Sequence, residues 1–405
     1  MKLVYLIVFL IIYSNICFAV HGVNDFDKDC EHISYNNNPL PHEEKMECYI
    51  EQAHARELLP HRIDAPMYPQ LPRIHIDDLF KPENKAYREG SRPFILTDAM
   101  HKWDLMRKYP IRNRNKVRDT YLYKMFKNEV SEFYKFNMLD KHSKPYLYRF
   151  GSSIYDITRA DNDESQVPYS CANGCQYTFL QLTPSVWEKM EKNKDIPKKR
   201  YNIDLLEGDD WWMEDCLRDN TIREEYYLKT HWKIILIGNI GAGMFNHTDT
   251  LRSSSWHGHV QGRKWWYLCG KNIDHGPNEG KDMCYESVFH PGEILYYPKD
   301  WWHTTRNLDP VTMTITGTVI TKYNYQSVSE RLWDECSNAE HEFDFSSQLC
   351  DSLEVCYDLW YQKWQQKDAP YESWRDVANQ ETLDKRNDIR SDKNMYEEDN
   401  IYPLY

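Results

Sequence analysis

The sequence has no excess of basic residues, because acidic residues outnumber them. Its 50 lysines and arginines stand against 63 aspartates and glutamates, a formal net charge of -13 at pH 7. Apart from one short basic run at residues 198–200, which a solvated loop explains, the sequence shows no cluster of positive charge. Proteins that bind nucleic acid need such a positive surface to neutralise phosphates. We therefore expect no nucleic-acid partner, and the acidic balance fits a basic peptide substrate and simple solubility equally well.

A hydrophobic run long enough to cross a membrane is also missing. The longest apolar run, residues 3–13, follows Lys2 and precedes small residues, Cys17 and Ala19, where signal peptidase requires them. This pattern is typical of a secretory signal peptide, and we expect cleavage after Ala19. A membrane anchor is the alternative, but the run is shorter than the roughly 20 residues that span a bilayer. We therefore expect no membrane span after cleavage, and a protein of the endoplasmic reticulum lumen or the secreted fraction.

The cysteines favour structural disulfide bonds. The chain has 11, and ten remain once Cys17 leaves with the signal peptide, an even number in an oxidising compartment. Connectivity cannot be deduced from the sequence, although two local pairs are candidates: Cys30 with Cys48, and Cys269 with Cys284. Cys171 and Cys175 have near-ligand spacing for zinc, but no second close Cys/His pair accompanies them. We therefore favour disulfides over a zinc site.

Composition divides the chain into four parts. We expect a signal peptide over residues 1–19, an N-terminal extension over 20–90, a β-rich domain over 91–325 and a helical appendage with a charged tail over 326–405. The extension is polar and contains one helical pattern near 43–59. A short strand is predicted at 92–97, and a charged, helical stretch is predicted from there to about Leu139.

The β-rich part is marked by short apolar runs separated by turn residues. Four runs are typical of strands: residues 232–238, 264–268, 293–297 and 311–320. Many short strands with turns between them predict a β-sandwich or a small barrel. In the tail, apolar residues between 353 and 364 recur at helical spacing, which predicts an amphipathic helix held by Cys336, Cys350 and Cys356.

A candidate metal-binding pattern lies among the predicted strands. His247-Thr248-Asp249 is followed some fifty residues later by His303. Two histidines and one carboxylate form the facial ligand set that holds Fe(II) on one side and leaves the opposite positions open. In a strand, His247 and Asp249 point to the same side, so both can reach one metal inside a barrel. Alone the pattern is a weak signal, because 16 histidines make chance matches common.

The segments around these ligands resemble the jumonji-C family of Fe(II)- and 2-oxoglutarate-dependent oxygenases. The matching segments occur in the expected order: residues 92–97, 254–257, 262–264 and 292–303. The resemblance implies a mainly β fold with flanking helices, whose core is a double-stranded β-helix of the cupin or jelly-roll type. It also implies that His247, Asp249 and His303 are the catalytic iron ligands, and that 2-oxoglutarate and O2 are consumed.

The same resemblance assigns residues to the cosubstrate. It implies that Lys264 binds the distal carboxylate of 2-oxoglutarate, and its place between Gly262 and two tryptophans argues against an exposed strand lysine. Tyr146 matches an upstream tyrosine that assists this carboxylate in some members of the family. Thr316 and Thr318 fall on the last barrel strand, where other members place a hydroxyl or an amide. These last three residues fit ordinary strand positions equally well.

Three features depart from the family pattern. Two residues are inserted between Gly243 and His247. His257 stands where many relatives have asparagine, and we expect it to hydrogen-bond 2-oxoglutarate or oxygen; a separate metal site of His257 and His259 is less favoured. Finally, Asn246-His247-Thr248 is an N-glycosylation sequon. A glycan there would block the iron site, so either the segment is buried before the glycan is transferred or the catalytic interpretation is wrong. Burial inside the barrel is the simpler explanation, and we expect it.

These observations predict an Fe(II)- and 2-oxoglutarate-dependent oxygenase that hydroxylates a side chain of a secreted or lumenal polypeptide. The signal peptide argues against the histone demethylation known from some relatives. One alternative is a non-catalytic cupin that acts as a lumenal interaction or assembly protein, and the complete ligand set disfavours it. Another is a cupin enzyme that uses zinc or manganese without 2-oxoglutarate, and Lys264 disfavours that one. The substrate and the oligomeric state are not defined by the sequence.

Overall fold

The computed structural model describes most of the chain between residues 66 and 356. The described residues are 66, 68–134, 145–159, 175–197, 206, 217, 219–271, 281–321, 324–337, 345–353 and 356, together with a two-stranded pair within 34–39. The predicted signal peptide, the helix predicted near 43–59, the pair Cys30–Cys48 and the charged tail lie outside these residues.

The described residues form strands, α-helices and short 3-10 helices. The strands are Ser34–Tyr35 (β1), Asn38–Pro39 (β2), Arg73–His75 (β3), Phe94–Thr97 (β4), Val130–Tyr134 (β5), Tyr146–Arg149 (β6), Tyr177–Gln181 (β7), Ile234–Gly238 (β8), Gly243–His247 (β9), Ser254–Gln261 (β10), Lys264–Lys271 (β11), Asp282–Phe289 (β12), Ile294–Tyr297 (β13), Trp302–Asn307 (β14) and Thr312–Val319 (β15). The α-helices are Lys85–Arg88 (α1), Leu105–Lys108 (α2), Tyr121–Phe126 (α3), Phe150–Arg159 (α4), Pro184–Lys192 (α5), Asn220–Thr230 (α6) and Tyr325–Ser337 (α7). The 3-10 helices are Ile76–Asp78, Pro82–Asn84, Arg114–Asp119 and Thr250–Arg252.

Two facing sheets build the core. The larger has nine strands in the order β3-β4-β13-β10-β15-β8-β7-β5-β6, and the smaller has four in the order β12-β11-β14-β9. All pairs are antiparallel except β3 with β4, which places residues 73–75 of the predicted extension in the large sheet. The arrangement is a jelly roll with flanking helices, so the predicted double-stranded β-helix is confirmed. The strand predictions at 92–97, 232–238, 264–268, 293–297 and 311–320 are confirmed as well.

Alternate residues of the large sheet pack into two different cores. On β4, Phe94 and Leu96 pack against the helices that flank the sheet, whereas Ile95 packs into the space between the two sheets. On β13, Leu295 and Tyr297 face the same inner space. Side chains of successive strand residues point to opposite faces, so a sheet that is covered on both sides buries every residue. The strands therefore read as unbroken apolar runs, and the inner face forms the wall of a barrel.

The helical stretch that we predicted as far as Leu139 ends earlier. Residues 130–134 form β5, where Ser131 and Phe133 are buried while Val130 and Glu132 are exposed. This alternation has the period of a strand, and pairing with β6 and β7 stabilises it over the helical propensity of the charged residues nearby. The prediction of helix was therefore wrong at this point.

The C-terminal appendage packs as a small core of its own on the barrel. Helix α7 and the helical residues 347–353 contact α6 and Leu251 through buried apolar side chains. A disulfide joins Cys336 to Cys350, and Cys356 is also disulfide-bonded. Cys175 is disulfide-bonded too, which favours the disulfide interpretation of that segment over zinc. None of the helices within the described ranges combines the length and the hydrophobicity that crossing a bilayer would require.

The disulfide between Cys269 and Cys284 clamps β11 to β12, as predicted, and should contribute measurable stability. The two residues lie opposite each other in the ladder and close a loop with a sequence separation of 15. Loop closure of this size restricts the unfolded chain by about 3 kcal/mol. We expect Cys269→Ser/Cys284→Ser to lower the free energy of unfolding by about that amount in urea denaturation. The double variant Cys336→Ser/Cys350→Ser, with a separation of 14, is the matched control in the appendage. An unchanged denaturation midpoint in the first variant would contradict the prediction.

Candidate metal and cosubstrate site

The three predicted metal ligands meet at one point of the barrel. His247 ends β9 and lies directly opposite His303 on β14, while Asp249 follows β9 by two residues. Their ligand atoms all lie within 4.8 Å of one another. Asp249 Oδ1 is 3.9 Å from His247 Nε2 and 3.7 Å from His303 Nε2. One metal ion could therefore be held by all three residues from one side, as a facial ligand set requires.

Hydrogen bonds to the backbone orient both histidines. His247 Nδ1 donates to the carbonyl of Phe245 at 2.8 Å, and His303 Nδ1 donates to the carbonyl of Trp301 at 2.9 Å. A carbonyl oxygen can only accept, so each Nδ1 carries the hydrogen and each Nε2 presents a lone pair. Burial lowers the pKa of His303 to about 4, which keeps it in the neutral form that binds metals.

Two residues that the sequence analysis missed hold the carboxylate. Ser255 Oγ and the Tyr297 hydroxyl, the latter at 2.9 Å, both donate to Asp249 Oδ2. The other oxygen, Oδ1, is left facing the two histidines. Ser255 and Tyr297 are partners across β10 and β13, so their side chains leave the sheet on the same face. Both stand within the segments that resemble the family, but only the strand register shows where they point.

Residues just after Asp249 and just before His303 have unusual backbone conformations. Leu251, Arg252 and Asp300 have positive φ values of 56°, 52° and 61°, a region that residues other than glycine seldom adopt. Arg252 Nη2 lies 3.2 Å from Asp300 Oδ2, and its Nη1 lies 3.7 Å from Glu330 of α7. Leu251 is buried in the C-terminal core. The appendage thus holds the loop that follows Asp249, and Arg252 links that loop to the segment that precedes His303.

Lys264 is a buried cation on the inner face of the small sheet. It is 2% exposed, and its Nζ donates to the Tyr177 hydroxyl at 2.7 Å. No carboxylate of the described residues forms an ion pair with it, and burial lowers its pKa to about 7. Each pKa unit corresponds to about 1.4 kcal/mol, so keeping this amine charged without an anion costs several kcal/mol. An anionic ligand would remove that cost.

Polar atoms without partners surround Lys264. Asn307, its partner across β11 and β14, is fully buried, and neither of its side-chain polar atoms has a hydrogen-bond partner among the described residues. Trp266 Nε1, a donor, is also buried without a partner among the described residues. A Cβ at Gly238 would lie 2.6 Å from Asn307 Nδ2 and 2.3 Å from the Tyr177 ring, so glycine is required there. Buried polar groups are normally paired, so this set fits a small polar anion such as 2-oxoglutarate.

Tyr146 is not part of this pocket. It lies on β6, the edge strand of the large sheet, and is 58% exposed. Its strand partner Phe133 is opposite Thr178, whereas Tyr177 points to the other face of the sheet, towards Lys264. The assignment of Tyr146 to the cosubstrate was therefore wrong, and Tyr177 occupies the position beside the lysine. No motif in the sequence identifies Tyr177 as a site residue, and the residues before it do not have a clear strand pattern.

The two threonines of β15 face the barrel but have local partners. Thr316 Oγ1 donates to the carbonyl of Trp256, and Thr318 Oγ1 donates to the carbonyl of Thr230 while accepting from Trp232 N. Both hydroxyl hydrogens are therefore engaged with the backbone. Thr316 lies directly opposite His257 in the ladder, so its remaining lone pair is still near the pocket.

His259 belongs to the fold and not to a second metal site. Its Nε2 donates to the carbonyl of Gly262 at 2.5 Å, and its Nδ1 lies 3.3 Å from the Thr314 hydroxyl. Both nitrogens are thus used in the turn between β10 and β11, where Gly262 has a φ of 72°. Among the described residues, His247, Asp249 and His303 are the one cluster with metal-ligand spacing.

Asn246 is exposed, so the expectation that the sequon is buried was wrong. The register shifts between His303 and Thr305, where Phe245 and Asn246 together oppose the single residue Thr304. This bulge reverses the alternation along β9. It turns His247 into the barrel and Asn246 outward. If the strand alternated regularly from Met244, Asn246 would point inward and His247 outward.

Removing Arg252 should weaken metal binding. We expect Arg252→Ala to lower the affinity for Mn(II) or Co(II) about tenfold, the lower end of the effect of outer partners at metal sites, because the loops beside Asp249 and His303 lose their ion pair. Isothermal titration calorimetry of the full chain measures this change. Lys271→Ala removes an exposed ion pair at the far end of β11 and serves as control. Equal metal affinity in Arg252→Ala and wild type would contradict the expectation.

Comparison with known proteins gives partial similarity to two jumonji proteins of Arabidopsis thaliana. The arginine-specific demethylase JMJ20 is 25% identical over 186 residues, which cover 38% of this chain and 40% of that protein. The lysine-specific demethylase JMJ21 is 25% identical over 156 residues, covering 31% of this chain and 16% of that protein. The chain thus matches well under two thirds of either relative. No family model matches the chain. This partial similarity to two jumonji proteins agrees with the jelly-roll fold and the His-Asp-His cluster.

Proposed function

We propose that this protein is an Fe(II)- and 2-oxoglutarate-dependent oxygenase that hydroxylates a side chain of a polypeptide in the secretory pathway. The observation that carries the proposal is the pairing of a facial ligand cluster with an uncompensated buried lysine inside one barrel. Trp266 lies between the two sites: its ring is 5.7 Å from the His303 ring and 5.5 Å from Lys264 Nζ. A small dicarboxylate that contacts the lysine would therefore lie beside the ligand cluster.

The protein's own residues would hold both groups and exclude water. His247, Asp249 and His303 would hold iron, and Lys264 and Tyr177 would hold the distal carboxylate of 2-oxoglutarate. When bound, iron and 2-oxoglutarate supply the oxidation of a C–H bond by O2, with release of succinate and CO2. One part of the inner wall is apolar and aromatic, and it shields the reacting groups from bulk water; this part includes Ile95, Trp266, Leu268, Phe289, Leu295 and Tyr297.

Access to the cluster differs among the three ligands. The side chains of His247 and Asp249 are 18% and 12% exposed, whereas that of His303 is 3% exposed. A substrate side chain can therefore approach from the β9 edge of the barrel. This opening favours a projecting side chain of a polypeptide over a substrate that must be enclosed completely.

Disulfide bonds support the proposed location in the secretory pathway. The described residues include the disulfides Cys269–Cys284 and Cys336–Cys350, which persist in oxidising compartments and are rare in the cytosol. The two relatives are named for demethylation of arginine and lysine. We propose hydroxylation of a lumenal or secreted polypeptide instead, because the N-terminal pattern predicts a signal peptide.

The proposed activity predicts turnover of 2-oxoglutarate to succinate. We expect the purified full chain, with Fe(II), ascorbate and O2, to form succinate slowly without substrate, and we expect His247→Ala and Lys264→Ala to abolish it. His259→Gln, which alters a buried histidine outside the site, serves as control. Absence of turnover, together with absence of binding of iron and 2-oxoglutarate, would leave the non-catalytic cupin as the better interpretation.

The lysine also predicts a pH dependence of cosubstrate binding. Burial lowers the pKa of free Lys264 to about 7, and a bound carboxylate raises it, so the charged form binds and affinity falls as pH rises above 7. Burial also keeps His259 neutral and Tyr177 protonated, because it lowers the first pKa to about 3 and raises the second. We expect the Kd of 2-oxoglutarate to rise towards tenfold per pH unit between pH 7 and 9, measured by anaerobic calorimetry with Mn(II).

A permanently charged residue provides the control for this slope. We expect Lys264→Arg to bind 2-oxoglutarate more weakly, since the larger side chain must fit beside Tyr177, but with no pH slope from this position because arginine stays charged. The same slope in Lys264→Arg and wild type would assign the pH dependence to another group.

A further inference from the structure

His257, Tyr297 and Asp249 form a chain of hydrogen bonds on the inner side of the barrel. His257 Nε2 lies 3.0 Å from the Tyr297 hydroxyl, and that hydroxyl lies 2.9 Å from Asp249 Oδ2. The His257 and Tyr297 rings are stacked, with centroids 5.6 Å apart and planes inclined by 22°. His257 and Tyr297 are both buried. The chain links a residue that departs from the family pattern to a metal ligand.

The direction of each hydrogen bond follows from the donors available. A carboxylate only accepts, so the Tyr297 hydrogen is donated to Asp249. His303 Nε2, at 3.4 Å, is the competing acceptor, but the contact with the carboxylate is shorter and charge-assisted. The hydroxyl oxygen of Tyr297 then accepts from His257, which must carry its hydrogen on Nε2.

We propose that His257 is a positioning residue for the metal site. By donating to Tyr297 it directs the tyrosine hydrogen towards Asp249 Oδ2, which leaves Oδ1 as the oxygen that faces His247 and His303. This inference rests on the proposed metal site. Without the Nε2 donor, the Tyr297 hydroxyl would turn its hydrogen towards other acceptors, and Asp249 Oδ2 would keep Ser255 as its donor.

The same argument changes the role expected of His257 towards the cosubstrate. With the hydrogen on Nε2, the buried Nδ1 is an acceptor, and it has no partner among the described residues. Burial and the charge of Lys264 hold the pKa of His257 well below its ordinary value, so the ring is neutral. A neutral ring in this tautomer cannot donate to an oxygen of 2-oxoglutarate through Nδ1. Nδ1 can instead accept a hydrogen bond from a water or a hydroxyl. An asparagine side chain at this position could either donate or accept, because an amide has both an NH2 group and a carbonyl oxygen.

Two substitutions of His257 separate the roles of its nitrogens. The amide nitrogen of glutamine reaches the place of Nε2, whereas the shorter asparagine reaches only the place of Nδ1. We expect His257→Gln to bind Co(II) and 2-oxoglutarate within threefold of wild type. We expect His257→Asn and Tyr297→Phe to bind Co(II) ten- to a hundredfold more weakly and to change its visible absorption, which reports ligand geometry. His259→Gln is the matched control, because it alters a buried histidine on the same strand face outside the chain of hydrogen bonds.

The outcomes distinguish this inference from the proposed function. Circular dichroism melting curves show whether each variant is folded, and Tyr297→Phe, which removes one oxygen and keeps the ring, tests the inference if His257→Asn fails to fold. Wild-type affinity and absorption in folded His257→Asn, or in Tyr297→Phe, would overturn the positioning role while leaving the metal site intact. Failure of folded wild type to bind Co(II) would overturn the proposed function and, with it, this inference.

Discussion

The alternation of strand side chains between two packed cores is the constraint on which the site depends. Because both faces of the large sheet are covered, every second residue of β10, β13 and β15 is forced into the space between the sheets. On the inward positions of β10 and β15 the chain carries serine, histidine and threonine instead of aliphatic residues, and β13 adds Tyr297 beside Leu295. The polar site is therefore a result of register: a shift of one residue would exchange it for tryptophan and isoleucine.

A polar barrel interior is unfavourable unless its groups are paired or bind a ligand. Most of the inward groups are paired: Thr318 with backbone, His259 with the turn at Gly262, and Tyr297 with Asp249. The exceptions are concentrated around Lys264, where an unpaired amide and an unpaired indole accompany an uncompensated amine. A group of unpaired inward atoms beside one buried amine is typical of a site that is completed by a ligand. Tyr177 is compatible with the buried lysine because its neutral hydroxyl accepts a hydrogen bond from Lys264 Nζ.

The sequence was sufficient to predict the His-Asp-His cluster and insufficient for what surrounds it. His247, Asp249 and His303 could be predicted because their chemistry is carried by residue type and short spacing. Tyr177 could not, because it reaches Lys264 only through the long-range pairing of β7 with β8, which no local pattern encodes. Tyr146 was chosen on motif similarity, and a count of strand faces places it on the opposite side.

A local irregularity explains the other failure, and it also shows how the site is built. Regular alternation from Met244 would have turned Asn246 inward and His247 outward; the bulge in β9 exchanges them. The extra residue of this bulge thus orients His247 into the barrel. Downstream, Asp249 leaves the strand and enters a loop with positive φ values that α7 holds through Arg252. Two of the three ligands therefore depend on departures from ideal strand geometry. Such departures persist only where surrounding contacts enforce them, so in this chain the appendage and the inner hydrogen bonds belong to the site as much as the ligands themselves do.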